Sequence, residues 1–183
     1  TTSTLQQEAA KNLNFSTQKT MRLAQGLYEG VAVKGKGTIG LITYLRTDST
    51  RISNDAKEMT KDYIQENYGT EYLAEEAVQK KSSKKIQDAH EAIRPTYVDI
   101  TPAMVKDSLS RDHFRLYQLI WKRFMASQMA PARYETISVK IDSEEYRFTT
   151  SSSKVIFSGY LTVYQTEEDK VEKKTISKNI VKG

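Results

Sequence analysis

At Pro131 the spacing of apolar residues changes period, and this change restricts the chain more than any single motif. Before it, apolar residues recur three and four apart in stretches punctuated by Ser, Thr and Gly. After it, Ile137, Val139 and Ile141 alternate with polar residues. The first pattern makes one side of a helix apolar and the second makes one face of a pleated strand apolar. The expectation is an α+β chain: a mainly helical unit over residues 1–130, then an antiparallel β segment over 131–183, with no repeat or low-complexity tract. Nothing approaches the roughly 20 apolar residues of a membrane span.

Within the first unit, Thr4 followed by Gln7 fits a capping box, opening a helix with Leu5, Ala9 and Leu13 along one side. A second helix is predicted from about Thr17, with Met21, Ala24, Leu27 and Tyr28 at helical spacing and Gly30 as the exit. "VAVKGKGTIG" reads as a glycine-rich connector. Ser53 then caps a helix with Ala56, Met59, Tyr63 and Ile64 inward and Gly69 closing it. Residues 76–88 read as an exposed polar loop. Thr101 before Pro102 is a cap and first-turn pair, and Asp112 begins the longest helix, with Phe114, Tyr117, Ile120, Trp121, Phe124 and Met125 as its core stripe. In the β segment, "YETISVKI", "YRFTTSSS", "KVIFSGYLTVYQ" and "KKTISKNIVKG" read as strands. "DSEE" is a turn between the first two, and "TEEDKVEKK" is an exposed hairpin loop.

Cysteine is absent and there are two histidines, so disulfides and thiolate metal sites are excluded and a zinc site built from protein ligands is not expected. The opening "TTSTLQQEA" enters a helix cap directly and the chain stops just after a strand-like pattern, which reads as a piece of a longer polypeptide. Net charge is +5, and the excess is concentrated. Lys34, Lys36, Arg46 and Arg51 gather against Asp48, and four lysines with Arg94 gather in residues 80–94 against Asp88 and Glu91. Clusters of this kind suit a polyanion such as nucleic acid, although a solvated lysine-rich loop explains "QKKSSKK" equally well.

"GLITYLRTDSTRIS", residues 40–53, combines a tyrosine with two arginines, an aspartate and several hydroxyls. A phenol with a pKa of about 10 reaches its phenolate at neutral pH only at a cost of ~4 kcal/mol, which a neighbouring cation offsets. Arg46 is two residues beyond Tyr44, so in an extended segment the two side chains share a face. A guanidinium there could stabilise phenolate and hold a phosphate oxygen through paired donors. "RTDSTR" adds hydroxyl and guanidinium donors able to line a phosphate backbone. Phosphoryl transfer to tyrosine fits this set, because a phenolate leaves readily and a phosphotyrosyl ester is reversible. Read locally, the same residues also fit a strand and a Ser/Thr turn with an incidental aromatic, and the local pattern favours that reading.

"DAHEAIRPT", residues 88–96, contains "HE", but a zinc-protease helix needs a second histidine where Arg94 stands. What remains is an imidazole and a guanidinium four apart, on one face of a helical turn ended by Pro95. Together they could form a phosphate clamp in which His90 donates a proton or hydrogen bond, and a lone surface histidine explains the same residues at least as well. A tyrosine recombinase places its arginines and histidine before the tyrosine; here His90 and Arg94 follow Tyr44, which counts against that class.

"TTSTLQQEA", "GLITYLRTDSTRIS", "DAHEAIRPT" and "LYQLIWKRFMASQMAPARY", in this order, resemble the central part of the bacterial type IA DNA topoisomerases, from Thr1 to about Tyr134 and more loosely through the β tail. The resemblance implies that Tyr44 is the nucleophile that attacks a single DNA strand, becomes linked to its 5′ phosphate and leaves a 3′ hydroxyl for religation. It implies that Arg46 contacts the scissile phosphate and that His90 is the active-site histidine. Thr43, Asp48, Arg51 and Arg94, within or beside the matching motifs, are carried over as DNA-binding candidates. The helical domain would lift to open a gate for the passing strand, and the β segment would belong to the hinge, or arch, domain.

The family's magnesium-binding TOPRIM domain precedes this region, and no "DxDxE" cluster occurs in these residues. Mg2+ is therefore expected outside this sequence. The partners implied are DNA, single-stranded or negatively supercoiled, and the remainder of the polypeptide, in the cytoplasm at the nucleoid; the piece alone is expected to be inactive. Two competing classes are a non-catalytic single-stranded nucleic-acid-binding module in which Tyr44 stacks on a base, and a structural interaction domain without salt-dependent DNA affinity.

Overall fold

The structure, a computed structural model, describes residues 1–74 and 90–165. The expected loop at 76–88, the hairpin loop "TEEDKVEKK" and the strand "KKTISKNIVKG" lie outside the described residues. The architecture is α+β, as the change of period requires. The order is helices α1 (Thr2–Leu13) and α2 (Thr17–Glu29), strands β1 (Val31–Val33) and β2 (Gly37–Ile39), then helices α3 (Asn54–Asn67), α4 (Pro102–Val105) and α5 (Arg111–Gln128). Strands β3 (Arg133–Ser143) and β4 (Tyr146–Phe157) follow, then a 3-10 turn at Gly159–Thr162. Among the described residues no helix is long and apolar enough to cross a membrane.

The longest helix organises the rest. α5 starts one residue before Asp112 because the Ser110 hydroxyl accepts the His113 amide hydrogen, capping the orphan donors of the first turn. It packs against α1, α2, α3 and α4. Leu116 and Leu119 join Tyr117, Ile120, Trp121, Phe124 and Met125 in the core, while Phe114, at the start of the expected stripe, is only half-buried, so the buried surface is wider than the stripe and begins later. Two of these side chains carry polar handles that burial forces into partnership. The Tyr117 hydroxyl donates to the Ile100 carbonyl at 2.6 Å, and the Trp121 indole N–H donates to the Val98 carbonyl at 3.0 Å. Residues 98–100 are thereby fixed to the central helix. Burial pushes the Tyr117 phenol far above the ordinary tyrosine range.

Local expectations shift at several places. α1 begins at Thr2 rather than after Thr4 because the Thr1 hydroxyl accepts the Thr4 amide hydrogen and caps the first turn. The connector is a small antiparallel hairpin in which Val31 faces Ile39 and Val33 faces Gly37. Gly35 and Gly37, with φ of 79° and 75°, supply the left-handed backbone that closes it. In α3, Ser53 caps and Gly69 follows the last turn as expected, but Met59 points outward and Thr60 takes the buried position between Ala56 and Ile64.

Beyond Pro131, "YRFTTSSS" and "KVIF" form one strand, β4, paired along its length with β3 through the tight turn at Glu144 and Glu145. Most side chains of this hairpin are exposed. The rest of "KVIFSGYLTVYQ" is not a strand: Gly159 turns with a φ of 47°, and the chain returns to the helices. There the Tyr160 amide donates to the Ala130 carbonyl, Leu161 is buried, and the Tyr164 hydroxyl donates to Glu8, which also pairs with Arg123 at 3.1 Å.

Candidate active site

Residues 41–49 do not form a strand, although they begin with an apolar run. Their backbone is held from three directions instead. The Leu41 amide donates to the Leu27 carbonyl at the end of α2 (2.8 Å), and the Thr96 amide donates to the Leu41 carbonyl (3.0 Å). Ile42 makes a single antiparallel bridge to Pro95, and the Thr43 amide donates to the Arg94 carbonyl. At the far end Thr2 closes the arrangement: its amide donates to the Thr47 carbonyl, its hydroxyl donates to the Leu45 carbonyl, and the Thr47 amide donates back to that hydroxyl.

Burial alternates along this stretch. Leu45, Thr47 and Ser49 are inside, while Tyr44, Arg46 and Asp48 are outside. The period of two that an extended segment imposes therefore holds without a sheet partner along its length, and Tyr44 and Arg46 share the exposed side. The hydroxyls of "RTDSTR" divide the same way. Those of Thr47 and Ser49 turn inward and accept the amides of Ser49 and Arg51 (3.0 and 3.1 Å), as successive Ser/Thr turns that shape the loop. They are spent on the backbone rather than presented to a phosphate. Arg51 and Thr50 remain exposed.

The second motif meets the first side by side. The ring of His90 stands 5.0 Å from that of Tyr44, centroid to centroid, tilted by 33°. Tyr28, at the end of α2, also meets Tyr44, in a T-shaped contact at 5.5 Å between ring centroids. The residues from His90 to Pro95 are not a helical turn. They run beside residues 42–51, with the Ala92 amide on the Arg51 carbonyl at 2.8 Å. Thr43 is the main fastening: its hydroxyl donates to the Ala92 carbonyl at 2.8 Å and accepts the Arg94 amide at 2.9 Å.

Arg94 is placed differently from His90. Its guanidinium pairs with Glu91 at 2.6 Å and donates to the Pro95 carbonyl at 2.9 Å, with a side chain only 12% exposed. The expected clamp of His90 and Arg94 on one helical face is therefore not formed. Burial would raise the Glu91 carboxyl, but hydrogen bonds from Arg94 and Ser53 and the nearby Arg51 charge hold it below the ordinary glutamate range. Glu91 was not singled out from the sequence, although its spacing three before Arg94 was a usable signal. Tyr28 was also missed as a site residue: its helical spacing suggested core, whereas it is 40% exposed.

Beside Tyr44 lies a groove of about 440 Å³ lined by Tyr28, Ile39, Ile42, Thr43, Thr96 and Tyr97. Gly40 also borders it, and a Cβ there would stand 2.7 Å from the Tyr28 carbonyl oxygen. This position allows close approach of the loop to α2 only without a side chain. Among the described residues, no three His, Cys, Asp or Glu side chains gather to hold a metal ion.

A family model described as DNA topoisomerase matches residues 1–183. Among solved structures, the chain is similar to the full-length topoisomerase I from Thermotoga maritima in a monoclinic crystal form, with 48% sequence identity and a TM-score of 0.77. The match covers 91% of this chain and 26% of that one, so this chain spans about a quarter of the length of its relative. A family match along the whole sequence, and near-half identity on a shared fold, bear out the resemblance of the four ordered motifs: this chain belongs to the bacterial type IA DNA topoisomerases.

Proposed function

We propose that Tyr44 is the nucleophile of a reversible single-strand DNA break, with Arg46 and His90 as its partners. The observation that carries this reading is the convergence of two sequence-distant motifs on one exposed phenol. Tyr44 is 36% exposed, Arg46 shares its side of the loop, and His90 stands 5.0 Å away ring to ring. The Tyr44 oxygen attacks the scissile phosphorus, the phenolic proton departs, and the bond from phosphorus to the 3′ oxygen breaks as that oxygen takes a proton. The downstream strand is then held as a 5′-phosphotyrosine ester, and attack by the 3′ hydroxyl restores the phosphodiester and the phenol.

Arg46 offers paired donors to the non-bridging phosphate oxygens, where charge develops in the transition state. His90 supplies a hydrogen bond or proton at the same phosphate. Arg51, on the exposed side, and Asp48, beside Arg46, border the path of the strand. The pinned Thr43 and the paired Arg94 favour a positioning role over direct contact with DNA. Magnesium, the family's usual metal, finds no suitable group of ligands among the described residues; a TOPRIM domain elsewhere in the polypeptide would hold it, and its chemistry there would be Lewis acidity.

In the parent enzyme the break would allow strand passage and ATP-independent relaxation of negatively supercoiled DNA in the cytoplasm. Residues 1–130 would then carry the tyrosine, residues 131–183 would form part of the hinge, and the chain by itself would be inactive. Relaxation of a negatively supercoiled plasmid by the parent enzyme tests this. Tyr44→Phe should abolish relaxation, and Arg46→Ala and His90→Ala should slow it on the order of 100-fold or more, the usual scale for a charge-stabilising or proton-transferring group. Relaxation by Tyr44→Phe at the unaltered rate would rule the reading out.

A further inference from the structure

The groove beside Tyr44 is walled by two aromatic rings that packing leaves uncovered. Tyr28 is 40% exposed and Tyr97 is 47% exposed, and both line the same recess with Ile39 and Ile42. A tyrosine at the end of a helix ordinarily lays its ring on the core. Tyr28 instead meets the Tyr44 ring in a T-shaped contact at 5.5 Å, so a residue that lines the recess also packs on the candidate nucleophile.

Flat aromatic and aliphatic walls without a charged lining residue suit a planar, weakly polar ring. The charge around the groove selects what that ring is attached to. Ile39 and Gly40 leave the hairpin whose turn carries the exposed Lys34 and Lys36, and Arg46 is exposed two residues beyond Tyr44. The carboxylate next in sequence to Tyr28, Glu29, is engaged by Gln25 at 2.6 Å on the helix surface. Exposed cations on the same hairpin and loop that supply an uncharged aromatic lining are complementary to an unpaired nucleotide, whose phosphate is anionic and whose base has a π-face.

We infer that this groove is a base-stacking subsite, in which an unpaired DNA base next to the cleaved linkage lies against Tyr28 and Tyr97. The inference rests on the reading of Tyr44 only in that both place a single DNA strand on this face. Stacking would hold the strand while its phosphate lies at the phenol. Because every base has a π-face, the subsite would tolerate any sequence.

Binding of a labelled single-stranded oligonucleotide to the 183-residue chain, followed by fluorescence anisotropy, tests the subsite. Base stacking contributes about 1–3 kcal/mol, or roughly 5- to 150-fold in affinity. Tyr28→Leu and Tyr97→Leu should each weaken binding within that range, whereas Tyr28→Phe and Tyr97→Phe, which keep the ring, should stay within about twofold. In the unaltered chain, which removes any concern over folding of a variant, a 2-aminopurine walked along the oligonucleotide should be quenched at one position, and an abasic site there should lower affinity similarly. Unchanged affinity in both leucine variants, no quenched position, or no binding by the unaltered chain would each overturn the subsite. The nucleophile reading is tested separately, by adduct formation in the parent enzyme and its loss in Tyr44→Phe, so its failure shows in the adduct and failure of the subsite shows in the affinity of the Tyr28 and Tyr97 variants.

Discussion

The hydroxyl of Thr43 donates to the Ala92 carbonyl and accepts the amide hydrogen of Arg94, so the residue before the exposed tyrosine is fastened at two points to the segment that carries His90. The Tyr44–His90 pairing is therefore a property of the backbone on both sides. Thr43→Val keeps the shape of the side chain but strands a carbonyl and an amide, a loss of about 1–3 kcal/mol. Urea unfolding followed through the single tryptophan, Trp121, should show this loss, and Thr43→Ser should recover most of it. If Thr43 acts in positioning, affinity of folded Thr43→Val for single-stranded DNA should stay near that of the unaltered chain.

Glu91 gives the fold a dependence on acid. Its carboxyl is held below the ordinary glutamate value of 4.5 in the folded chain. A group whose folded pKa is depressed adds stability above its unfolded value and loses it as pH falls through the folded one. Stability of the unaltered chain should therefore decline below about pH 4.5, and Glu91→Gln, less stable at neutral pH, should decline less over the same window. Thermal melts from pH 7 to pH 3 give the comparison; parallel declines in the two proteins would contradict the assignment.

Gly40 lies where the loop leaves the hairpin and crosses α2. A Cβ there meets the Tyr28 carbonyl oxygen at 2.7 Å, a backbone atom with no freedom to swing aside. Gly40→Ala should destabilise the chain by about 1–3 kcal/mol, as overpacking generally does. It should also displace Tyr28 from Tyr44, lowering cleavage in the parent enzyme more than stability alone explains. Calorimetry and adduct yield on one preparation separate the two effects.

The sequence revealed the fold where the physics is local. The period change at Pro131, the caps at Ser53 and the core stripe of α5 are set by residues within a few positions of one another. It misled where partners are distant. The apolar run 41–45 resembles a strand, but its hydrogen bonds go to Leu27, Arg94 and Thr96, and no local pattern encodes those partners. Met59 and Thr60 exchanged places because one-residue phase errors are invisible to spacing on a weakly amphipathic helix. The site showed the same division. The shared side of Tyr44 and Arg46 was legible through their two-residue spacing and their candidacy as a site only through the resemblance of the ordered motifs, whereas the withdrawal of Arg94 into the ion pair with Glu91 depended on how the 90–95 segment folds back.

The central claim is that Tyr44 exchanges one phosphodiester for a 5′-phosphotyrosine. Combining the 183-residue chain with a separately produced TOPRIM domain, Mg2+ and a single-stranded oligonucleotide labelled in turn at each end isolates that step. The 3′-end label should become attached to the chain at Tyr44, the 5′-end label should be released on a piece ending in a 3′ hydroxyl, and Tyr44→Phe should yield neither. An adduct carrying the 5′-end label, or one that persists in Tyr44→Phe, would contradict the claim.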